Sequence, residues 1–176
     1  MGKSIAVFCS ASYTIDPAYN RAAREFVRRA AASGHAIVSG GTVKGTMGEI
    51  SDELARCGGR HIGVIPRFMK GLEPGGLSET VWVDTMSERK ELIRAKSDVV
   101  VALPGGIGTL DELVETITLR KLERWTGDIY VLNLGGFYDP LKSLLEHYVR
   151  TGMLDEASAA LAKFPETVDE LLEMIG

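Results

Sequence analysis

Asp98-Val99-Val100-Val101-Ala102-Leu103-Pro104-Gly105-Gly106-Ile107-Gly108-Thr109-Leu110-Asp111-Glu112 is the stretch that decides the fold. Val99 to Leu103 is a continuous apolar run, the pattern of a strand buried on both faces of a parallel sheet. Beyond it Leu110, Leu113, Val114, Ile117 and Leu122 recur at helical spacing, so a helix is expected over 109–125. Gly105, Gly106 and Gly108 therefore sit where a strand becomes a helix N-terminus. Backbone N–H groups there lack intrahelical partners, and the helix dipole favours an anion. Glycine lets such an anion come close to the backbone. The stretch reads as a phosphate cradle, with Glu112 about one turn into the helix beside it.

The same alternation recurs outward in both directions. Strands are expected at 3–9, 36–39, 60–65, 80–84, 98–103 and 128–134, with a weaker seventh at 160–164. Helices are expected at 17–33, 46–57, 87–97, 109–125, 140–151 and 167–175. Asp16-Pro17 and Asp139-Pro140 each put a cap and a proline at a helix start, and Gly34 and Gly58 follow helix ends. Thr167 and Glu170 have capping-box spacing. This order specifies an α/β fold, a Rossmann-like doubly wound parallel sheet of six or seven strands with helices on both faces. No repeat or linker interrupts it, so one domain is expected across residues 1–176. Residues 67–78, with three glycines and Pro74, read as a loop suited to act as a flap.

Composition narrows the function. The chain has 176 residues, 45% hydrophobic and 25% charged, which is ordinary for a globular protein. A net charge of -4 and a pI near 5.5 argue against nucleic acid as a partner, which needs a basic field. Cys9 and Cys57 form no CxxC or zinc pattern, and His35, His61 and His147 lack ligand spacing, so no metal is expected. No run has the length of a membrane span or the form of a signal peptide, which makes the cytoplasm the expected location.

Ligands in open α/β sheets sit beyond the carboxyl ends of the strands. The unusual residues of this chain fall at such ends: Cys9-Ser10-Ala11-Ser12, the loop Ser39–Gly48 with Gly40, Gly41 and Gly45, the segment Thr85–Lys90, the opening stretch, and Asn133–Asp139. Neither glycine loop is a P-loop, which requires G-x-x-x-x-G-K-S/T. Residues 9–14 contain no glycine, so the dinucleotide fingerprint G-x-G-x-x-G is missing after the first strand. ATP hydrolysis and NAD chemistry are disfavoured, and a small phosphorylated ligand fits the rim better.

The combination Gly40-Gly41-x-x-x-Gly45-x-Met47-Gly48, Met86-x-x-Arg89-Lys90 and Pro104-Gly105-Gly106-x-Gly108-Thr109-x-x-Glu112 resembles the LOG (Lonely Guy) family. Its members are cytokinin riboside 5′-monophosphate phosphoribohydrolases, often mislabelled as lysine decarboxylases. Gly59–Pro66 and Gly136–Leu141 are further landmarks, and the resemblance covers about residues 3–151. It implies hydrolysis of the N-glycosidic bond of a nucleoside 5′-monophosphate, AMP or an N6-substituted AMP, to free base and ribose 5-phosphate. It also implies a homodimer that uses no metal or organic cofactor. Arg89 and Glu112 become the expected catalytic pair. Substrate contacts are expected from Ser10, Gly40, Gly41, Gly45, Met86, Lys90, Gly105, Gly106, Gly108 and Thr109. The chain departs from the family pattern at Thr42, Thr46, Ser87 and Ile107.

The same residues carry plainer readings. Thr109-x-x-Glu112 is itself a capping box. Arg89 lies among Glu88, Lys90, Glu91 and Arg94 and could be one charge on a solvated helix face. Lys44 reads as an exposed loop lysine, Asp111 as a partner of the helix dipole, and Cys9 as a small residue at a strand end. Met47 suits the core or a pocket, Trp82 suits packing, and Trp125 ends a helix where it could meet a second subunit. A non-catalytic nucleotide-binding module would keep the phosphate glycines without needing both Arg89 and Glu112. A pyridoxal-phosphate decarboxylase would need a Schiff-base lysine in a suitable site.

Overall fold

The structure is a computed structural model that describes residues 2–176. Its strands are β1 (Ser4–Phe8), β2 (Ala36–Ser39), β3 (His61–Pro66), β4 (Glu79–Val83), β5 (Val99–Ala102), β6 (Asp128–Val131) and β7 (Ala162–Lys163). Its helices are α1 (Pro17–Ala32), α2 (Gly45–Cys57), α3 (Met86–Ala95), α4 (Ile107–Lys121), α5 (Asp139–Arg150), α6 (Glu156–Ala159) and α7 (Val168–Ile175). All the strands pair in parallel, in the order β4-β3-β2-β1-β5-β6-β7. The order reverses between β1 and β5, which leaves a crevice beyond the carboxyl ends of those two strands.

Side chains alternate across each strand, and the alternation divides the core in two. Ile5, Val7 and Cys9 join Phe26 and Val27 of α1, Ile50 and Leu54 of α2, and Leu171 and Ile175 of α7. Ala6 and Phe8 face the other way, with Ile93 of α3 and Leu113 of α4. Each fully buried Ile, Leu or Phe contributes roughly 1.5–3 kcal/mol relative to exposure. These two layers fix the positions of α3 and α4, which carry Arg89 and Glu112.

Several termini follow the sequence signals. Asp16 accepts from the Ala18 N–H at 2.8 Å, and Gly58 closes α2 in the left-handed region. Thr167 accepts from the Glu170 N–H at 3.1 Å, while the Glu170 carboxylate reaches the N–H of Glu166 at 2.7 Å.

Others differ. Helix α4 begins at Ile107, with Gly106 as an N-cap that has no side-chain hydrogen bond. Thr109 is thus the third residue of the helix, and the Thr109–Glu112 capping box does not form. The capping box is instead at Thr85 and Glu88, where it starts α3. Helix α4 ends at Lys121, so Trp125 lies beyond it; its Nε1–H donates to the Arg94 carbonyl at 3.1 Å and its ring packs on the second core layer. Asp139 is the first residue of α5 and accepts from the Asn133 amide at 2.8 Å. Residues 67–69 form a 3-10 turn, and the Val43 N–H ties this segment down at Leu72 O, 3.2 Å away.

Candidate active site

A cavity of about 490 Å³ opens at the crevice between β1 and β5. Its walls come from residues 7–12, Gly40, Met47, the first turns of α3 and the first turns of α4. Four segments that are remote in sequence, after β1, β2, β4 and β5, meet there because the all-parallel sheet puts the carboxyl ends of its strands along one edge.

The Thr85–Glu88 capping box sets the start of α3 and directs Arg89 inward. Arg89 is 7% exposed. Its Nε–H donates to the Val64 carbonyl of β3 at 3.2 Å. Gly40 leaves room for it: a Cβ at position 40 would lie 1.6 Å from Arg89 Nη2. Nη1 stands 3.8 Å from Glu112 Oε1, an ion pair without a direct hydrogen bond. Burial lowers the guanidinium's affinity for its proton, and Glu112 opposes the change. Arginine starts so high that it stays charged.

Burial pushes the Glu112 carboxyl up to about 6, against the pull of Arg89 and with help from Asp111. A carboxylate in the neutral range that no donor holds is available to a ligand. Cys9 lines the same cavity, and burial pushes its thiol well up, so it stays neutral.

At the N-terminus of α4, one turn before Glu112, the backbone does the work. The first helical hydrogen bond into this end of α4 comes from the Leu110 N–H to Gly106 O at 3.0 Å. The N–H groups of Ile107, Gly108 and Thr109 belong to the first turn, which has no intrahelical acceptors to offer them. Gly106 and Gly108 have open space where a Cβ would stand. Thr109 is buried and its Oγ1 has no hydrogen-bond partner. Gly105 covers that hydroxyl, since a Cβ there would lie 2.1 Å from Thr109 Oγ1. Free N–H groups at a helix N-terminus, with an unpartnered hydroxyl just beneath them, are the donors an anion would use.

Of the residues expected from the sequence, Ser10, Gly40, Met86, Arg89, Lys90, Gly106, Gly108, Thr109 and Glu112 line this cavity. Gly41, Gly45 and Gly105 do not. The Gly41 N–H donates to Ser39 Oγ at 3.1 Å, Gly45 opens α2, and Gly105 roofs Thr109. Lys90 is ion-paired, at 3.0 Å to Asp111 and 2.6 Å to Glu115, and these carboxylates push its ammonium up. Asp111 is thus a lysine partner rather than a free dipole partner. Thr42 is buried with its hydroxyl 3.6 Å from the Met47 sulfur, away from the cavity. No residue of 67–78 lines the cavity, nor does Asn133–Asp139.

Sequence reasoning put Ala11, Ser12 and Ile107 on the rim without assigning them a contact, and it missed Glu115 behind them. Ser10, Ala11 and Ser12 carry no motif of their own, but Glu115 had a signal in the matched charges of α3 and α4. His61 is buried and neutral, with its Nε2 2.8 Å from Ser39 Oγ. Among the described residues no group of three or more His, Cys, Asp or Glu is placed to hold a metal ion, and both cysteines are free.

A family model described as "Possible lysine decarboxylase" matches residues 47–175, which include Arg89, Glu112 and the second glycine loop. A probable cytokinin riboside 5′-monophosphate phosphoribohydrolase of Oryza sativa subsp. japonica is 34% identical over 176 residues, covering 98% of this chain and 72% of that protein. A cytokinin riboside 5′-monophosphate phosphoribohydrolase of Arabidopsis thaliana is 32% identical over 98% of this chain and 82% of its own length. The chain belongs to the LOG family. Gly40, Gly41 and Gly45 of the first glycine loop precede the matched model but fall within the span shared with both plant relatives. Among solved structures, the molybdenum cofactor carrier protein of Chlamydomonas reinhardtii superposes with a TM-score of 0.77 at 18% identity, covering 99% of this chain and 96% of that one. At that identity the likeness is one of fold.

Proposed function

We propose that this LOG protein hydrolyses the N-glycosidic bond of a nucleoside 5′-monophosphate to free base and ribose 5-phosphate. One observation carries the reading. A largely buried Arg89–Glu112 pair, with no hydrogen bond between the two, shares one cavity with the open N-terminus of α4, the helix that carries Glu112. The plant relatives are named for the same reaction on cytokinin riboside 5′-monophosphates.

The phosphate belongs at Gly106, Gly108 and Thr109, where it anchors the ribose and orients the reacting bond. An N-glycoside breaks through an oxocarbenium-like state, as O-glycosides do. Glu112, as a carboxylate, stabilises the cationic sugar and orients the water. Water adds to C1′ while the C1′–N bond breaks. The bonding pair leaves with the base nitrogen, which takes up a proton, and the water oxygen becomes the C1′ hydroxyl. Arg89 holds Glu112 electrostatically and faces the departing base. Cys9, Ala11, Met47 and Met86 give the base a largely apolar wall, suited to AMP or an N6-substituted AMP.

Lysine decarboxylation through a Schiff base fits this site poorly. Lys90 is the lysine that lines the cavity, and two carboxylates hold it as an ammonium, which is no nucleophile. A binding module would leave the Arg89–Glu112 pair without a task.

The same reading takes the protein as a cytoplasmic homodimer of one-domain chains, with neither nucleic acid nor a membrane as partner. Helix α5 is amphipathic yet has no buried residue, and Leu144 and Tyr148 on it are exposed, as are Val114 on α4 and Leu122 just beyond it. A second copy would cover them. Among the described residues no helix is long and apolar enough to cross a membrane.

The purified protein is to be incubated with AMP, other nucleoside 5′-monophosphates, isopentenyladenosine monophosphate and, as a phosphate-free control, adenosine. Base and ribose 5-phosphate are expected from one or more monophosphates, with adenosine cleaved about a hundredfold less efficiently. Binding without turnover across the panel would overturn the reading.

A further inference from the structure

Two short charge ladders meet across the seam between α3 and α4. Lys90 and Arg94 stand one turn apart on α3, and Asp111 and Glu115 one turn apart on α4. Lys90 Nζ is 3.0 Å from Asp111 Oδ2 and 2.6 Å from Glu115 Oε2, and Arg94 Nη2 is 2.9 Å from Glu115 Oε1. These ion pairs are close, and two of them are hydrogen bonds; Glu115 Oε2 meets Lys90 by charge and distance without a hydrogen bond. The pair they flank, Arg89 and Glu112, stays open at 3.8 Å. Arg94 is buried, and its other terminal nitrogen, Nη1, has no hydrogen-bond partner. Glu115 is therefore one carboxylate holding two cations, one of which still has a donor to offer.

We propose that Glu115 is a positioning residue: by occupying Lys90 and Arg94 it keeps both cations off Glu112 and holds α3 and α4 at the spacing where Glu112 stays unbonded. The proposal rests on Glu112 being the carboxylate that acts on the ribose. The charged and titratable groups facing Glu112 are Arg89, Lys90 and Arg94 from α3, Asp111 from its own helix, and Cys9 from the end of β1. Asp111 can neutralise only Lys90, and Cys9 is a neutral thiol. Without Glu115, Arg94 and part of the Lys90 charge would be unbalanced in a partly buried seam. Unbalanced cations favour the ionised form of a nearby carboxylate and draw it into a hydrogen bond. A Glu112 so held binds its proton less well and serves the cationic sugar less well.

The test compares pH–rate profiles for ribose 5-phosphate release by the wild type, Glu115→Gln and Arg94→Gln, with Glu112→Gln alongside. Glu115→Gln is expected to lower kcat about tenfold with KM within about twofold, and to move the acid limb at least about half a pH unit down. Arg94→Gln removes a cation from the seam, so its acid limb is expected to move up instead. General loosening of the α3–α4 packing would move both variants the same way. Limbs that stay at the wild-type pH, or that shift together, overturn the proposal. Where Glu115→Gln does not fold, Arg94→Gln decides alone: an upward shift supports the proposal and an unmoved limb overturns it. If turnover needs Glu112 and the limbs stay put, only this proposal fails. If Glu112→Gln keeps wild-type turnover, the reading beneath it fails, and the proposal with it.

Discussion

The loop after β2 and the loop after β5 each place paired glycines, Gly40-Gly41 and Gly105-Gly106, between a strand end and a helix. In the first, Gly40 gives up its side chain so that the Arg89 guanidinium can lie against the backbone. In the second, Gly105 roofs Thr109, while Gly106 and Gly108 face open space above a helix N-terminus. One loop seats a side chain of the protein, and the other presents backbone donors to the cavity. A glycine pair marks close approach. What approaches is decided by the neighbours that the fold brings in.

That contrast gives separable predictions. Arg89→Met removes what the first loop seats. It is expected to lower kcat about 10²- to 10³-fold with little change in KM, as read from initial rates of base release. Gly40→Ala leaves Arg89 in the chain but displaces it, because the new methyl would sit on Nη2. A loss of about ten- to a hundredfold in kcat is expected, with a thermal midpoint close to wild type because the displaced atoms end a flexible side chain. A raised KM at unchanged kcat would instead make the first loop a ligand cradle and erase the contrast.

Thr109→Val addresses the second loop and should have the smallest effect. Loss of the hydroxyl is expected to raise KM for the nucleotide about three- to tenfold while kcat stays within about twofold. The hydroxyl is buried without a partner, so its replacement by a methyl group should also stabilise the free protein by up to about 1 kcal/mol. Denaturant unfolding without ligand measures that gain, and a destabilised variant would mean that the hydroxyl has a structural bond.

Much of the fold was legible locally. The apolar runs, the Asp16-Pro17 start and the Gly58 stop are short-range signals, and the elements lie where those signals put them. The strand order was not legible, because pairing β1 with β5 depends on contacts between residues about ninety positions apart. The start of α4 misled for a physical reason: Thr109-x-x-Glu112 has capping-box spacing, but Gly106 lets the helix begin earlier and turns Thr109 inward. Helix α6 has four residues, too few to show a period, and hangs on the Asp155 cap. In the site, motif residues identified Arg89 and Glu112 as a pair, yet nothing in the motifs told that Gly40 would face the first and not the ligand. Glu115 was passed over because a glutamate on a helix surface is ordinary until the facing helix offers Lys90 and Arg94.

The most direct test of the central claim is the rate of ribose 5-phosphate release by the wild type and by Glu112→Gln between pH 5 and 8. Burial puts the Glu112 carboxyl at about 6, above its ordinary value, and the proposed mechanism uses the ionised form. Activity should therefore be full above that range and fall as pH drops through it. Glu112→Gln should lose about a thousandfold in kcat and show no limb near 6. A Glu112→Gln protein that turns over at the wild-type rate, with the same acid limb, would contradict the account.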